Sequence, residues 1–218
     1  MDEHLKENKN GIELAKEIIL EVNQKVKRIY WTNEEIDLYF GKRSAVEIIR
    51  NGTTCFMNPC FDLNLVSGAI MLSRHMPYNL IIEELLPTKD FNFDKSNLVL
   101  KDFNFNRLHF ALEFQQNGGK CGIDYKRENE IYIFEGGYNG REDIPIAKTM
   151  KIPGEKINPY KPVHQNLGYD SLEDLIKNKF NGYSLESNLN RLKKDNSKEN
   201  YRAYKQRYGE ELKIIIKP

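Results

Sequence analysis

An α+β fold is predicted for this chain, and three observations predict it. The first half carries apolar residues at three- and four-residue steps behind helix-capping signatures. After Pro77 the period drops to two, and the pairs Asn117-Gly118, Gly136-Gly137 and Asn139-Gly140 punctuate the runs. Helices therefore come first and a mostly antiparallel sheet follows, with no internal repeat.

The elements follow in order. Ile12, Ala15, Ile19, Val22 and Val26 predict a helix over 11–28. Thr32 with Glu35 is a capping box that opens a helix to about Phe40, and Ser44 with Glu47 opens a shorter one ending near Asn51-Gly52. In Asn58-Pro59-Cys60, Asn58 is a favoured N-cap and Pro59 suits the first helical position. Phe61, Leu65, Ala69, Leu72 and Met76 continue as one apolar stripe, so a buried helix runs to about Arg74, where Pro77 stops it.

Tyr78–Leu86 reads as a buried strand, and 88–106 as an excursion with one short strand at Leu98-Val99-Leu100. Leu108, Phe110, Leu112 and Phe114 alternate with His109, Ala111, Glu113 and Gln115 in a period-two strand. That strand turns through Asn117-Gly118 into a partner over 120–127. Glu130–Tyr138 and Asp143–Ile152 predict two more strands. Pro153, Pro159 and Pro162 mark a connector, Ser171 with Asp174 caps a helix to Lys179, and 187–208 predicts a polar, basic helix. The division expected is a main domain over 1–152 and a C-terminal extension over 153–218.

Composition narrows the function. The 218 residues carry 33 Lys+Arg against 32 Asp+Glu, a net charge of +1, so no general field draws the protein onto nucleic acid or anionic lipid. The 39% apolar content, with 11% aromatic residues, suffices for a packed core. No run approaches the roughly 20 apolar residues of a membrane span. Met1-Asp2-Glu3-His4-Leu5-Lys6 holds no apolar segment, so a cytoplasmic location is expected, with the three cysteines reduced. The segment from Arg191 to Arg207, with Tyr201 and Tyr204, is read as a solvated helix rather than a nucleic-acid surface, since Asp195 and Glu199 dilute its charge.

Cys60 is the candidate nucleophile. In the first turn of a helix, unpaired N–H groups and the positive end of the dipole favour a thiolate. A two-residue turn at Asn117-Gly118 sets Gln116 against Gly119 and His109 against Lys126. Asp124 then lies two residues from that partner, within diagonal reach of the imidazole. A helix-start thiol, an imidazole and an orienting carboxylate are the parts of a Cys-His-Asp nucleophile. Cys55 is the rival, but it requires a helix running through Pro59, at a cost of about 3 kcal/mol. Cys121 is read as a core residue, and Glu113, on the His109 face, as lining the cleft or, the favoured reading, as solvated. Cys55, Cys60 and His75 lack the spacing of a metal site, and neither a metal nor a cofactor is expected.

Ala45-Val46-Glu47-Ile48-Ile49, Gly52, Cys60 at the head of an apolar helix, Met76-Pro77 and the strand after it together resemble the transglutaminase-like superfamily, a papain-like group of thiol enzymes. Cys60-Phe61-Asp62-Leu63-Asn64 is also similar to the nucleophile segment of arylamine N-acetyltransferases. The resemblance covers about residues 44–127. It implies a nucleophile helix packed on an antiparallel sheet, and it matches Cys60, His109 and Asp124 to the family's triad. The implied activity is acyl transfer from amide bonds of a protein or peptide, to water or to an amine. A non-catalytic peptide- or protein-binding module on the same fold is the alternative. The chain departs from the family at Pro59, where a glycine or small residue is common, and in the excursion, which carries no acetyl-CoA-binding pattern.

Overall fold

Capping decides the first helices. In the computed structural model, which describes residues 10–85, 107–126, 129–140, 146–180, 183–209 and 211–218, α1 (Gly11–Lys25) opens on Asn10. Its side chain accepts from the Glu13 N–H while the Glu13 carboxylate accepts from the Asn10 N–H. Thr32 with Glu35 and Ser44 with Glu47 repeat the device at α2 (Asn33–Tyr39) and α3 (Ala45–Asn51). Each box satisfies two of the N–H groups that a helix start leaves unpaired. Gly52 closes α3 with φ 66°, in the left-handed region that glycine enters without strain. The helix expected over 11–28 stops at Lys25. Beyond it β1 (Lys27–Ile29) pairs in parallel with β2 (Thr53–Cys55), an element that no local pattern announces.

The next helix, α4 (Cys60–Ser73), is the centre of the molecule. It is buried on nearly every side, through Phe61, Leu63, Leu65, Val66, Ile70 and Met71, and so carries more than the single stripe expected. It packs on α1 and α3 and on three strands, β3 (Tyr78–Leu85), β4 (Arg107–Gln116) and β5 (Gly119–Tyr125). A Cβ on Gly68 would lie 2.5 Å from the Tyr78 hydroxyl, so the glycine is what allows helix and strand this close.

With β6 (Glu130–Glu135), β7 (Ile146–Pro153) and β8 (Lys213–Lys217), the strands form a six-stranded sheet in the order β7-β3-β4-β5-β6-β8. Every pairing is antiparallel except β6 with β8. Asn117 and Gly118 both have positive φ, and Gln116 pairs with Gly119, the register expected of a two-residue turn. That ladder ends at the pair Leu112 and Ile123, although β4 begins at Arg107 and β5 continues to Tyr125. The two central strands therefore leave each other at one end of the sheet.

The C-terminal third is built into the same core. A 3-10 turn (Gly154–Lys156) and the short α5 (Val163–Asn166) lead to α6 (Leu172–Lys179), capped by Ser171 as expected. The single helix expected over 187–208 is two, α7 (Leu185–Asp195) and α8 (Lys198–Tyr208). The break falls at Asn196, whose side-chain amide is spent on the Trp31 carbonyl, and Ser197 caps the second helix. Leu192 and Tyr204 bury against Trp31, Ile36 and Phe56, while β8 adds the far edge strand. The expected strand at Leu98-Val99-Leu100 and residues 143–145 of the expected strand over 143–152 lie outside the described residues. No helix among the described residues is long and apolar enough to cross a membrane.

Candidate active site

Cys60 is the first residue of α4. The expected cap is displaced by one position: Pro59 occupies the cap in the right-handed helical region, and Asn58 makes no cap bond to the helix backbone. Its Oδ1 instead accepts from Cys60 Sγ at 3.2 Å. Asn58 is held there by a turn in which its N–H donates to the Cys55 carbonyl. The first bond of the helix runs from the Leu63 N–H to the Pro59 carbonyl, so the N–H groups of Cys60, Phe61 and Asp62 have no partner within the helix. The sulfur sits at the positive end of a fourteen-residue helix.

His109 and Asp124 lie just beyond the last rung of the β4–β5 ladder. His109 Nε2 is 2.8 Å from Asp124 Oδ1, and Lys126 Nζ is 3.0 Å from Oδ2, so one buried carboxylate is shared by an imidazole and an ammonium. Lys126 also lies over the Tyr132 ring, 4.9 Å from its centre. Asn64, one helical turn after Cys60, ties helix to strand: its Nδ2 donates to the Cys60 carbonyl and to the Phe110 carbonyl, both at 2.7 Å. The Phe110 carbonyl lies past the ladder's last rung, so Asn64 satisfies a group the sheet has released. This contact ties the first turn of α4 to β4 one residue after His109.

Burial alone would lower the pKa of His109. The charge of Asp124 and its hydrogen bond oppose that, a hydrogen bond and charge from Cys60 add to them, and together they push the imidazole up to about 9. With Nε2 at Asp124, Nδ1 is the ring nitrogen left for the thiol. The arrangement can accept a proton from sulfur, keep it near neutral pH, and hold the ring fixed while it does so.

The other sequence candidates fall elsewhere. Cys55 ends β2 and its Sγ donates to Asn196 Oδ1 at 3.4 Å. Cys121 lies in the main core, where burial, assisted by the charge of Glu135, pushes its thiol up to about 11. Cys60 is 7% exposed, against 1% for Cys55 and 2% for Cys121. Glu113 is not solvated as expected: it is buried, and Lys151 Nζ lies 3.2 Å from it. It lines a cavity of about 540 Å³ with His75, Tyr78 and Phe114, at the opposite end of β4 from His109. No group of three or more metal-ligating side chains is found among the described residues.

Four site residues escape the sequence reading. Asp62 is buried against Arg43 and accepts from Thr54 Oγ1 at 2.8 Å. The Arg43 guanidinium lies over the rings of Trp31 and Tyr39. Asn64 and Lys126 left faint signals, the first at four residues from Cys60 and the second as the expected partner of His109. In the C-terminal extension, the buried Tyr183 hydroxyl bonds the Asn188 side chain.

No family model matches the chain, and no curated protein and no solved structure matches it.

Proposed function

We propose that the chain is a thiol-dependent acyl-transfer enzyme of transglutaminase-like architecture that acts on amide bonds of a protein or peptide. The observation that carries this reading is the buried arrangement at the head of α4: Cys60 as its first residue, Asn64 tying that turn to the strand of His109, and His109 Nε2 2.8 Å from Asp124. His109 takes the thiol proton, and Cys60 sulfur attacks the acyl carbon. The carbonyl electron pair moves to oxygen, where the Cys60 N–H at the helix start receives it. Collapse expels the amine with the proton from His109 and leaves a thioester on Cys60. Water or a second amine then attacks, with His109 as base, making the protein a peptidase or amidase in one case and a transferase in the other. Asp124 keeps the ring oriented throughout. A cytoplasmic location suits three reduced thiols.

The burial of the thiol favours a second reading, a peptide-binding module that keeps the fold without turnover. The two separate on one experiment. Incubation with glutamine-containing and other amide peptides, with and without an added primary amine, is followed by intact-mass analysis. The enzyme reading expects an acyl adduct on Cys60 and a released amine, both absent in Cys60→Ser. Peptide binding with no adduct on Cys60 and no product would instead establish the module.

A further inference from the structure

We propose that Asn58 is the side-chain oxyanion donor of this site, alternating between acceptor and donor as Cys60 loses its proton. The inference rests on the acyl-transfer reading and extends it to a residue beyond the triad. Asn58 is half-buried, two positions before the nucleophile, and fixed by its N–H to the Cys55 carbonyl. Its Oδ1 is 3.2 Å from Cys60 Sγ. A thiol has one proton, which can be directed at Asn58 Oδ1 or at His109 Nδ1 but not at both.

The contact cannot survive activation unchanged. Once His109 takes the proton, sulfur can only accept, and a carbonyl oxygen facing a thiolate is repulsive. The terminal torsion of asparagine is broad and nearly two-fold, so a half-turn exchanges Oδ1 for Nδ2 at little cost. The amide then donates to sulfur. When sulfur bonds the acyl carbon, the negative charge moves to the carbonyl oxygen one bond away, still within reach of the same N–H and of the Cys60 backbone N–H. The two donors complete an oxyanion site. Pro59, which lacks an N–H of its own, separates them and leaves no competing backbone donor at that position. The helix cap falls on Pro59, and the Asn58 amide is engaged with the sulfur.

Two reagents that differ in one respect test this. p-Nitrophenyl acetate acetylates a thiol through a tetrahedral oxyanion: the S–C bond forms, and p-nitrophenolate leaves with the electron pair of the C–O bond. Methyl methanethiosulfonate reacts by attack on sulfur, forming an S–S bond and releasing methanesulfinate, with no oxyanion. Rates at Cys60 are read by peptide mass spectrometry in wild type, Asn58→Ala and Asn58→Gln. Removing one such donor costs about 10²–10³ in rate. Asn58→Ala is therefore expected to lose about 100-fold in acetylation and under about 5-fold in thiosulfonate reaction, and Asn58→Gln, which keeps the amide, to recover part of the difference. Should Asn58→Ala not fold, Asn58→Leu, close to asparagine in shape, carries the same comparison. Equal losses in both reactions, or no loss in either, overturn the proposal. If wild-type Cys60 takes the thiosulfonate but is never acetylated, the acyl-transfer reading fails and this proposal with it.

Discussion

Two buried aspartates lie in or beside α4, and their partners differ in one decisive way. Asp62, in the first turn of α4, is held by the Arg43 guanidinium and by Thr54. Asp124 is held by His109 and Lys126. A guanidinium never gives up its proton in a protein, so in the first pair, stacked on Trp31 and Tyr39 and sealed from water, only the carboxyl can titrate, and burial raises its pKa against the pull of Arg43. An imidazole does give up its proton, so the second pair can change charge without unfolding. The first site holds the helix start in place. The proposed chemistry uses only the aspartate whose partner titrates.

The comparison is sharpest where it can be broken. Asp124→Asn leaves the shape but removes the charge that holds the His109 proton. Rates of acyl transfer at Cys60 are expected to fall about 10⁴-fold, the loss characteristic of a triad whose orienting carboxylate becomes an amide. The imidazole pKa, followed by NMR, should fall from about 9 toward or below the ordinary histidine value. On the Asp62 side, Arg43→Met strands a buried carboxylate and should cost about 3–5 kcal/mol in urea unfolding. Its effect on acyl transfer per folded molecule should be far smaller than that of Asp124→Asn.

The titrating pair also makes a stability prediction with a definite sign. The folded pKa of His109 is raised, so the proton is bound more tightly in the folded than in the unfolded chain. The resulting stabilisation is fully present below pH 6.5 and is lost as the pH rises through about 9. A shift of that size corresponds to at most about 3 kcal/mol. Urea unfolding at pH 6 and pH 9.5 should show wild type losing more stability than His109→Gln over that interval. The smallest expected effect is at the joint between helix and strand. Asn64→Ala leaves the Phe110 carbonyl without its donor and should cost about 1–3 kcal/mol. It should also slow acyl transfer, because it loosens the tie between the first turn of α4 and the strand that carries His109.

What could be read in the sequence was local. The capping boxes at Thr32 and Ser44, the helix after Pro59 and the Asn117-Gly118 register all rest on residues within a few positions of each other, and each stands as expected except that the cap of the third falls on Pro59 instead of Asn58. The hairpin register alone brings His109 near Asp124, and that juxtaposition is the part of the site most legible beforehand. What stayed hidden depends on distant chain. The parallel pairings of β1 with β2 and of β6 with β8 join segments that no turn connects. Arg43 finds Asp62 only once α3 has packed on α4. The break at Asn196 comes from a bond to Trp31, 165 residues earlier. The early end of the β4–β5 ladder is equally invisible to strand arithmetic, which continues the pairing to Lys126, whereas the fold turns Lys126 and His109 onto the same carboxylate.

The central claim is that His109 activates Cys60 and no other thiol. The most direct measurement is the rate of iodoacetamide alkylation of each cysteine separately, by peptide mass spectrometry at pH 5 to 9, in wild type and His109→Ala. The account predicts that Cys60 reacts fastest at neutral pH, that Cys55 and Cys121 lag well behind, and that His109→Ala slows Cys60 at least 10-fold while leaving the other two unchanged. A Cys60 that reacts no faster than its neighbours, or whose rate does not respond to the loss of His109, would contradict it.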